Sequence, residues 1–258
     1  MQTRQSLLKL YWGMREMITP TLRYSQYPYE ELLTREVHRN TRWLDLGCGH
    51  QVLPAWRLEA ERQLVSSCRR IVGLDYDWPS LLAHRTIQHR FRGDTRRLPF
   101  RDGSFDLVTA NMVVEHLDDP DVQFREVSRV LGPGGKFIFH TPNVRSYATM
   151  MTRLVPGPLR ARLATLLDGR PLGDVFPAYY RANSRPRVEA LARSAGLGVE
   201  QLTLLLTDAI FATVPPLALL ELLWLRILMT RPFTSWRTTI IAVMTKPQSE
   251  ARHSVSAA

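Results

Sequence analysis

Short apolar runs alternate with helical patterns through the middle of the chain. Residues 42–46, 70–75, 89–93, 105–111 and 136–141 read as strands, because each is a brief run of aliphatic and aromatic positions bounded by polar or glycine residues. Between them, 54–68, 78–86 and 119–131 carry apolar residues at helical spacing. Alternation of this kind, with strands apolar on both sides, predicts a mostly parallel sheet covered by helices on both faces, a doubly wound α/β fold. Ahead of the first strand, residues 1–40 read as a helical lead-in whose best helix covers 29–38.

The rhythm breaks after Thr141-Pro142-Asn143. Residues 144–185 are irregular and rich in Pro, Gly and Arg, and are expected to form an insertion over the carboxyl edge of the sheet on the substrate side. A helix over 186–195, with Val188, Leu191 and Ala195 inward, is stopped by Gly196 and followed by a strand at 199–206. The last strand is expected at 238–244, and 248–258 as a disordered tail. The chain shows no internal repeat, and 1–247 is expected to be a single domain. One segment stands apart: 214–229 is almost wholly apolar, yet too short and, with Glu221 and Arg226, too charged to cross a bilayer, which takes about 20 apolar residues. Three destinations are open to it: the core, a homodimer contact, or shallow insertion at a membrane surface.

Composition narrows the setting. With 258 residues and 45% hydrophobic content the chain can bury a full core. Its two cysteines, Cys48 and Cys68, have no third or fourth partner, so neither a zinc site nor a disulfide framework is expected, and no metal. The first residues show no sustained apolar run and no cleavage pattern, so a cytoplasmic location is expected, with membrane association through 214–229 as the variant. The formal charge of +10 is almost all arginine, since Lys9, Lys136 and Lys246 are the only lysines. Up to Thr141 there are 20 basic and 17 acidic residues, against 14 and 7 beyond it. The excess therefore belongs to the C-terminal part. It reads either as a solvated surface or as an attraction for an anionic substrate such as a phosphorylated or acidic glycan, a lipid headgroup or a nucleic acid.

The most specific chemistry lies in Trp43-Leu-Asp-Leu-Gly-Cys-Gly-His50, where a buried strand runs into an acid and two glycines spaced by one residue. Gly47 and Gly49 allow a tight turn and a close backbone approach to a ligand, and the helix that follows turns its free N–H groups toward the same place. A dinucleotide site would want a third glycine at position 51, which is Gln. The pair is thus compatible with several nucleotide ligands. Asp75, at the end of the second strand one β–α unit later, is placed to accept from ribose hydroxyls.

Taken together, Leu44-Asp-Leu-Gly-Cys-Gly49, Val72-Gly-Leu-Asp75, Arg92-Gly-Asp-Thr95 with Leu98-Pro-Phe100, Val114-Glu-His-Leu117 and Arg129-Val-Leu-Gly-Pro-Gly-Gly135 resemble the class I S-adenosylmethionine-dependent methyltransferases. The resemblance runs from about residue 42 to 143 with the motifs in order. It implies a Rossmann-like, seven-stranded, mostly parallel sheet with an antiparallel last strand, and S-adenosyl-L-methionine as the methyl donor. It further implies that Asp45 and the backbone of Gly47, Cys48 and Gly49 hold the methionine end, that Asp75 takes the ribose hydroxyls with Tyr76 beside it among the cofactor-binding residues, that Asp94 and the Thr95 backbone meet the adenine, and that Asn111, Met112 and Val113 line the adenosyl and sulfonium region. Gln51 departs from the family's usual third glycine.

On the acceptor side, His116 follows the fourth strand at the edge where open α/β sheets bind ligands, and is the candidate general base or substrate contact. Tyr179, Tyr180 and Arg181 form the densest polar and aromatic cluster of the insertion and are the candidate acceptor residues. The expected acceptor is an oxygen or nitrogen of a small molecule, a sugar or a lipid-linked compound. A nucleic-acid methyltransferase is the first alternative, disfavoured by Asn111-Met-Val-Val114 where base-amino methylation resembles an Asn/Asp-Pro-Pro-aromatic loop, by the lack of a placed cysteine nucleophile, and by the lack of a basic stripe interleaved with aromatics. A non-catalytic protein that binds the same donor is the second.

Overall fold

The chain is seen as a computed structural model that describes residues 2–155 and 176–248. Two helices, α1 (Gln2–Ile18) and α2 (Gln26–Glu36), precede the first strand. The alternating region then runs β1 (Arg42–Leu46), α3 (Leu58–Ser66), β2 (Arg70–Asp75), α4 (Trp78–Leu82), β3 (His89–Arg92), β4 (Phe105–Asn111), α5 (Pro120–Val130) and β5 (Leu131–Pro142). Beyond it lie α6 (Tyr147–Leu154), α7 (Arg185–Ser194), β6 (Gly198–Leu205), α8 (Pro215–Leu228) and β7 (Thr239–Thr245). Among the described residues the strands form one seven-stranded sheet in the order β3-β2-β1-β4-β5-β7-β6.

Strands β1 to β5 pair in parallel, and β7 inserts antiparallel between β5 and β6. The predicted doubly wound architecture with an antiparallel seventh strand is therefore the observed one. Two apolar layers explain why it closes. Alternate residues of the central strands face one layer built on Phe124, Phe137, Phe139 and Leu191, and the rest face another built on Tyr29, Trp43, Leu64 and Ile138. A third cluster, separate from the sheet faces, joins Tyr11 of α1 to Leu222, Leu225 and Leu228 of α8.

Local chemistry sets the element ends. Asp77 caps α4 by accepting from the Ser80 amide, and Asp119 caps α5 from the Val122 amide, each with a proline in the first turn. Three elements differ from the sequence reading. The helix expected over 54–68 begins as a 3₁₀ turn at Ala55–Arg57, and the one over 78–86 ends at Leu82. The turn-forming sequence Gly132-Pro-Gly-Gly135, which precedes the strand expected at 136–141, is instead the irregular start of β5: Leu131 already pairs with Phe105, and the register shifts before Leu107 meets Lys136. The turn residues act as a bulge within the strand. Of the insertion read over 144–185, α6 and the segment from Phe176 onward are described; Asp174 and Val175, like the tail beyond Gln248, lie outside the described residues.

Candidate active site

After β1 the chain winds toward β2 and β3, and β4 returns to the other side of β1, so the carboxyl ends of β1 and β4 frame the switch point of the sheet, where open α/β folds bind ligands. The glycine turn is anchored there by backbone bonds to β2 and by the Asp75 carboxylate. The amides of Gly47 and Cys48 donate to the Leu74 carbonyl at 2.7 and 3.3 Å. Gly47 has φ +59°, and a Cβ on it would lie 2.4 Å from Cγ2 of Val113. Gly49, at φ +51°, has nothing within 4 Å of its missing side chain and donates its amide to Asp75 Oδ2 at 2.8 Å. The other Asp75 oxygen accepts from the Asp77 amide at 2.8 Å. The acid at the end of β2 thus ties the two ligand-side loops together. Cys48 turns its thiol inward against Gly73, where burial raises its pKa, so only its backbone faces the turn.

Asp45 lies beneath this turn, 3% exposed. Its Oδ1 accepts from the Thr109 hydroxyl at 2.5 Å, and that hydroxyl accepts from the Trp43 indole at 2.7 Å. Burial pushes the Asp45 carboxyl up to about 8; the Thr109 bond opposes the shift, and Glu61 and Asp75 add to it. Asp45 and Gly47 line a cavity of about 180 Å³ together with Gln26, Gln51, Asn111 and Met112. Gln51 Oε1 is buried without a partner there.

Asn111 closes the far side. Its amide exchanges two bonds with Gln26 of α2, at 3.1 and 3.3 Å, and its Oδ1 lies 3.0 Å from Nδ1 of His140, its neighbour across the β4–β5 ladder. Because that oxygen also accepts from Gln26, the His140 Nδ1 is the donor, and Nε2 is left as a buried acceptor without a partner. Burial holds the His140 pKa down at about 4, so the ring is neutral. Met112 follows with φ +58°, a strained value for a side-chain-bearing residue, and its amide donates to the His140 carbonyl at 2.8 Å.

Gln26 and Met112 also line a second, larger cleft of about 880 Å³. Its walls include Trp12, Tyr24, Tyr27, Trp56, His140 and Tyr180, and one side carries Arg15 paired with Asp208 at 2.5 Å. The two spaces meet across Gln26 and Met112.

The other sequence candidates fall in distinct places. Asp94 is held by Arg96 through Nε at 2.8 Å and through the Arg96 amide at 2.8 Å, and this pairing lowers its pKa. Thr95 Oγ1 accepts from Gln123 at 2.8 Å. Tyr76 is exposed beneath the Arg92 guanidinium. His116 Nδ1 lies 2.7 Å from the Pro177 carbonyl and its ring meets Phe176 edge-on, so it clasps the returning segment and lines neither cavity. Tyr180 alone of the 179–181 cluster lines the cleft; Arg181 stacks near Tyr179 and bonds the Asp118 carbonyl. Gln26, His140, Trp12 and Arg15 were not singled out from the sequence as site residues. Only His140, next to the Thr141-Pro-Asn143 break, carried any local signal. Among the described residues, no group of three His, Cys, Asp or Glu is arranged to hold a metal.

A doubly wound sheet with a glycine turn after β1, an acid closing β2 and an open switch point defines the class I methyltransferase architecture. A family model described as a methyltransferase domain matches residues 44–139, and this segment is similar to the S-adenosylmethionine-dependent methyltransferases. Among curated relatives, a demethylmenaquinone methyltransferase of Mycobacterium sp. (strain KMS) shares 34% identity over 141 residues, 52% of this chain and 61% of the relative. A malonyl-[acyl-carrier protein] O-methyltransferase of Legionella pneumophila shares 30% over 143 residues, 53% of this chain and 49% of the relative. The chain spans about half the length of the curated relatives it matches. Among solved structures, an S-adenosylmethionine-dependent methyltransferase from Mesorhizobium loti superposes with a TM-score of 0.52 at 20% identity, covering 85% of this chain and 97% of the other. The geranyl diphosphate C-methyltransferase of Streptomyces coelicolor gives 0.54 at 13%, covering 85% and 77%. These likenesses are of fold.

Proposed function

We propose that the chain transfers a methyl group from S-adenosylmethionine to an oxygen or nitrogen of a small, largely apolar or lipid-linked acceptor, as one domain spanning 1–247. The observation that carries this reading is the meeting of the two spaces: the 180 Å³ cavity over Asp45 and the glycine turn opens beside the 880 Å³ aromatic cleft across Gln26 and Met112. When bound, the donor supplies a methyl already activated by its sulfonium charge. The protein's work is then to align, to desolvate and to exclude water.

The residues fit such a donor. Asp45 and the unpartnered Gln51 Oε1 offer two buried acceptors to an ammonium group, the open space at Gly49 accommodates a close backbone approach, and Asp75 stands at the turn where ribose hydroxyls would exchange with the amides it now binds. Asn111, held by Gln26 and His140, sets the position of Met112 between donor and acceptor. The rings of Trp12, Tyr27 and Trp56 favour an apolar or planar acceptor, and Arg15 is already paired, which weighs against a phosphate-rich polymer. Relatives named for demethylmenaquinone and malonyl-acyl-carrier methylation support a lipid-like acceptor. A cytoplasmic setting accompanies this reading.

Calorimetric titration with S-adenosylmethionine and S-adenosylhomocysteine tests the donor claim, and transfer of radiolabelled methyl into extracted lipids and small aromatic alcohols tests the acceptor claim. Failure of both nucleosides to bind would overturn the reading.

A further inference from the structure

Helix α8 is amphipathic the wrong way round for a water-facing element. Its one acid, Glu221, points inward, where it accepts from the amides of Ile210 and Phe211 at 2.8 and 2.9 Å and from the Tyr147 hydroxyl at 2.5 Å. Ala218, Leu222, Leu225 and Leu228 are buried beside it against α1. Leu217, Leu219, Leu220, Leu223 and Ile227 all face out, with Leu220 64% and Leu223 48% exposed. A helix apolar all round belongs in a core or in lipid, and a contiguous exposed patch of this kind marks a contact surface.

The surroundings state what the contact is made with. Trp236 and Phe233 are exposed in the turn after α8, with Trp224 packed 6.3 Å from the Phe233 ring. Arg226 and Arg231 stand exposed at the same end, and Glu221 is the only acid from residue 214 to 245. Leucines framed by aromatic rings and unopposed arginines match the apolar interior, the interfacial zone and the anionic headgroups of a bilayer in turn. A second copy fits less well. Parallel contact would bring Arg226 toward Arg226, and antiparallel contact would bring it toward the positive end of the helix dipole. Among the described residues no helix is long and apolar enough to cross a membrane, so the contact is along its surface.

We propose that the outer face of α8, with Phe233, Trp236, Arg226 and Arg231, is a docking surface for a bilayer containing anionic phospholipid. The surface is independent of the methyl-transfer reading. It has a consequence for it, because the loop entering α8 carries Thr207, Asp208 and Ile210 into the wall of the cleft, which is thereby one loop away from the lipid.

Co-sedimentation of the full chain with phosphatidylcholine vesicles, with and without phosphatidylglycerol, tests this. Binding is expected to the anionic vesicles, weaker in high salt, and reduced at least about tenfold in Leu220→Glu/Leu223→Glu. Arg226→Gln/Arg231→Gln is expected to remove the preference for anionic lipid while leaving circular dichroism and donor binding unchanged. Equal binding by the leucine variant, no binding by the wild type, or a dimer in sedimentation velocity that the leucine variant abolishes would overturn the proposal.

Discussion

Gly47 and Val113 touch so closely that a single methyl group on Gly47 would enter the valine side chain, at 2.4 Å from Cγ2 and 2.9 Å from Cγ1. This packs the turn after β1 against the segment after β4, and it couples two of the regions expected to meet the donor. Gly47→Ala is expected to cost at least about 2 kcal/mol in urea unfolding, from overlap plus the left-handed backbone at φ +59°. Adding Val113→Ala should recover the overlap part and leave about 1 kcal/mol of backbone strain. No recovery would mean that the strain accounts for the whole loss.

Asp75 holds both loops through the Gly49 and Asp77 amides, so its loss disturbs the donor site before any ligand arrives. Asp75→Ala is expected to weaken S-adenosylhomocysteine binding by about a hundredfold or more, since two charge-assisted bonds disappear. Asp75→Asn keeps one acceptor and should fall between. The measurement is calorimetry, and undiminished binding by the alanine variant would remove Asp75 from the site.

The parts of this molecule that were legible in the sequence are those whose cause is local. Trp43 to Gly49 announces itself because a buried strand, an acid and two glycines are contiguous, and α5 because Asp119-Pro120 caps a periodic run. Gln26 could not be found that way. It acquires meaning only by meeting Asn111, 85 residues later, through the packing of α2 on the sheet. His140 looked like one more residue of a buried strand, and its role follows from the β4–β5 register that sets it beside Asn111. The outward leucines of α8 were visible as apolar, but which side α1 covers is a tertiary fact.

Three buried groups set the pH profile of the ligand-free protein. His140 and His84 are held neutral down to about 4, chiefly by burial, and so bind fewer protons than the unfolded chain between about 4 and 6.5; their stabilisation is lost as pH falls. Asp45, raised to about 8, binds more protons than its unfolded form from about 4 upward, so its contribution is lost as pH rises. The two histidines outweigh the one acid below 6.5 and are silent above it. The melting temperature should therefore peak near pH 6.5, with about 1–2 kcal/mol lost by pH 8. Asp45→Asn should flatten that alkaline limb, and an unchanged limb would show that another group causes it.

Arg96 and Asp94 form a pair that is about half exposed on both sides, so it is worth under about 1 kcal/mol and yields readily to a ligand. If the adenine amine takes the Asp94 carboxylate, Arg96→Gln changes donor affinity less than about fivefold, whereas Asp94→Ala weakens it about tenfold. Calorimetry on both variants decides the matter. A larger loss in the arginine variant would make Arg96 the ligand contact.

Gln51 stands where a third glycine would make the turn bare, and its Oε1 is buried, unpartnered and in the wall of the Asp45 cavity. An acceptor in that position has a use if it meets the ammonium of the methionine moiety, a bond to a charged group worth about 1.5–3 kcal/mol. Gln51→Leu keeps the volume and removes the acceptor. It should weaken S-adenosylhomocysteine roughly tenfold to a hundredfold, while leaving unchanged the binding of methylthioadenosine, which has the nucleoside and lacks the amino acid. An equal loss for both ligands would make Gln51 a support of the turn, and no loss for either would leave its carbonyl outside the donor's reach.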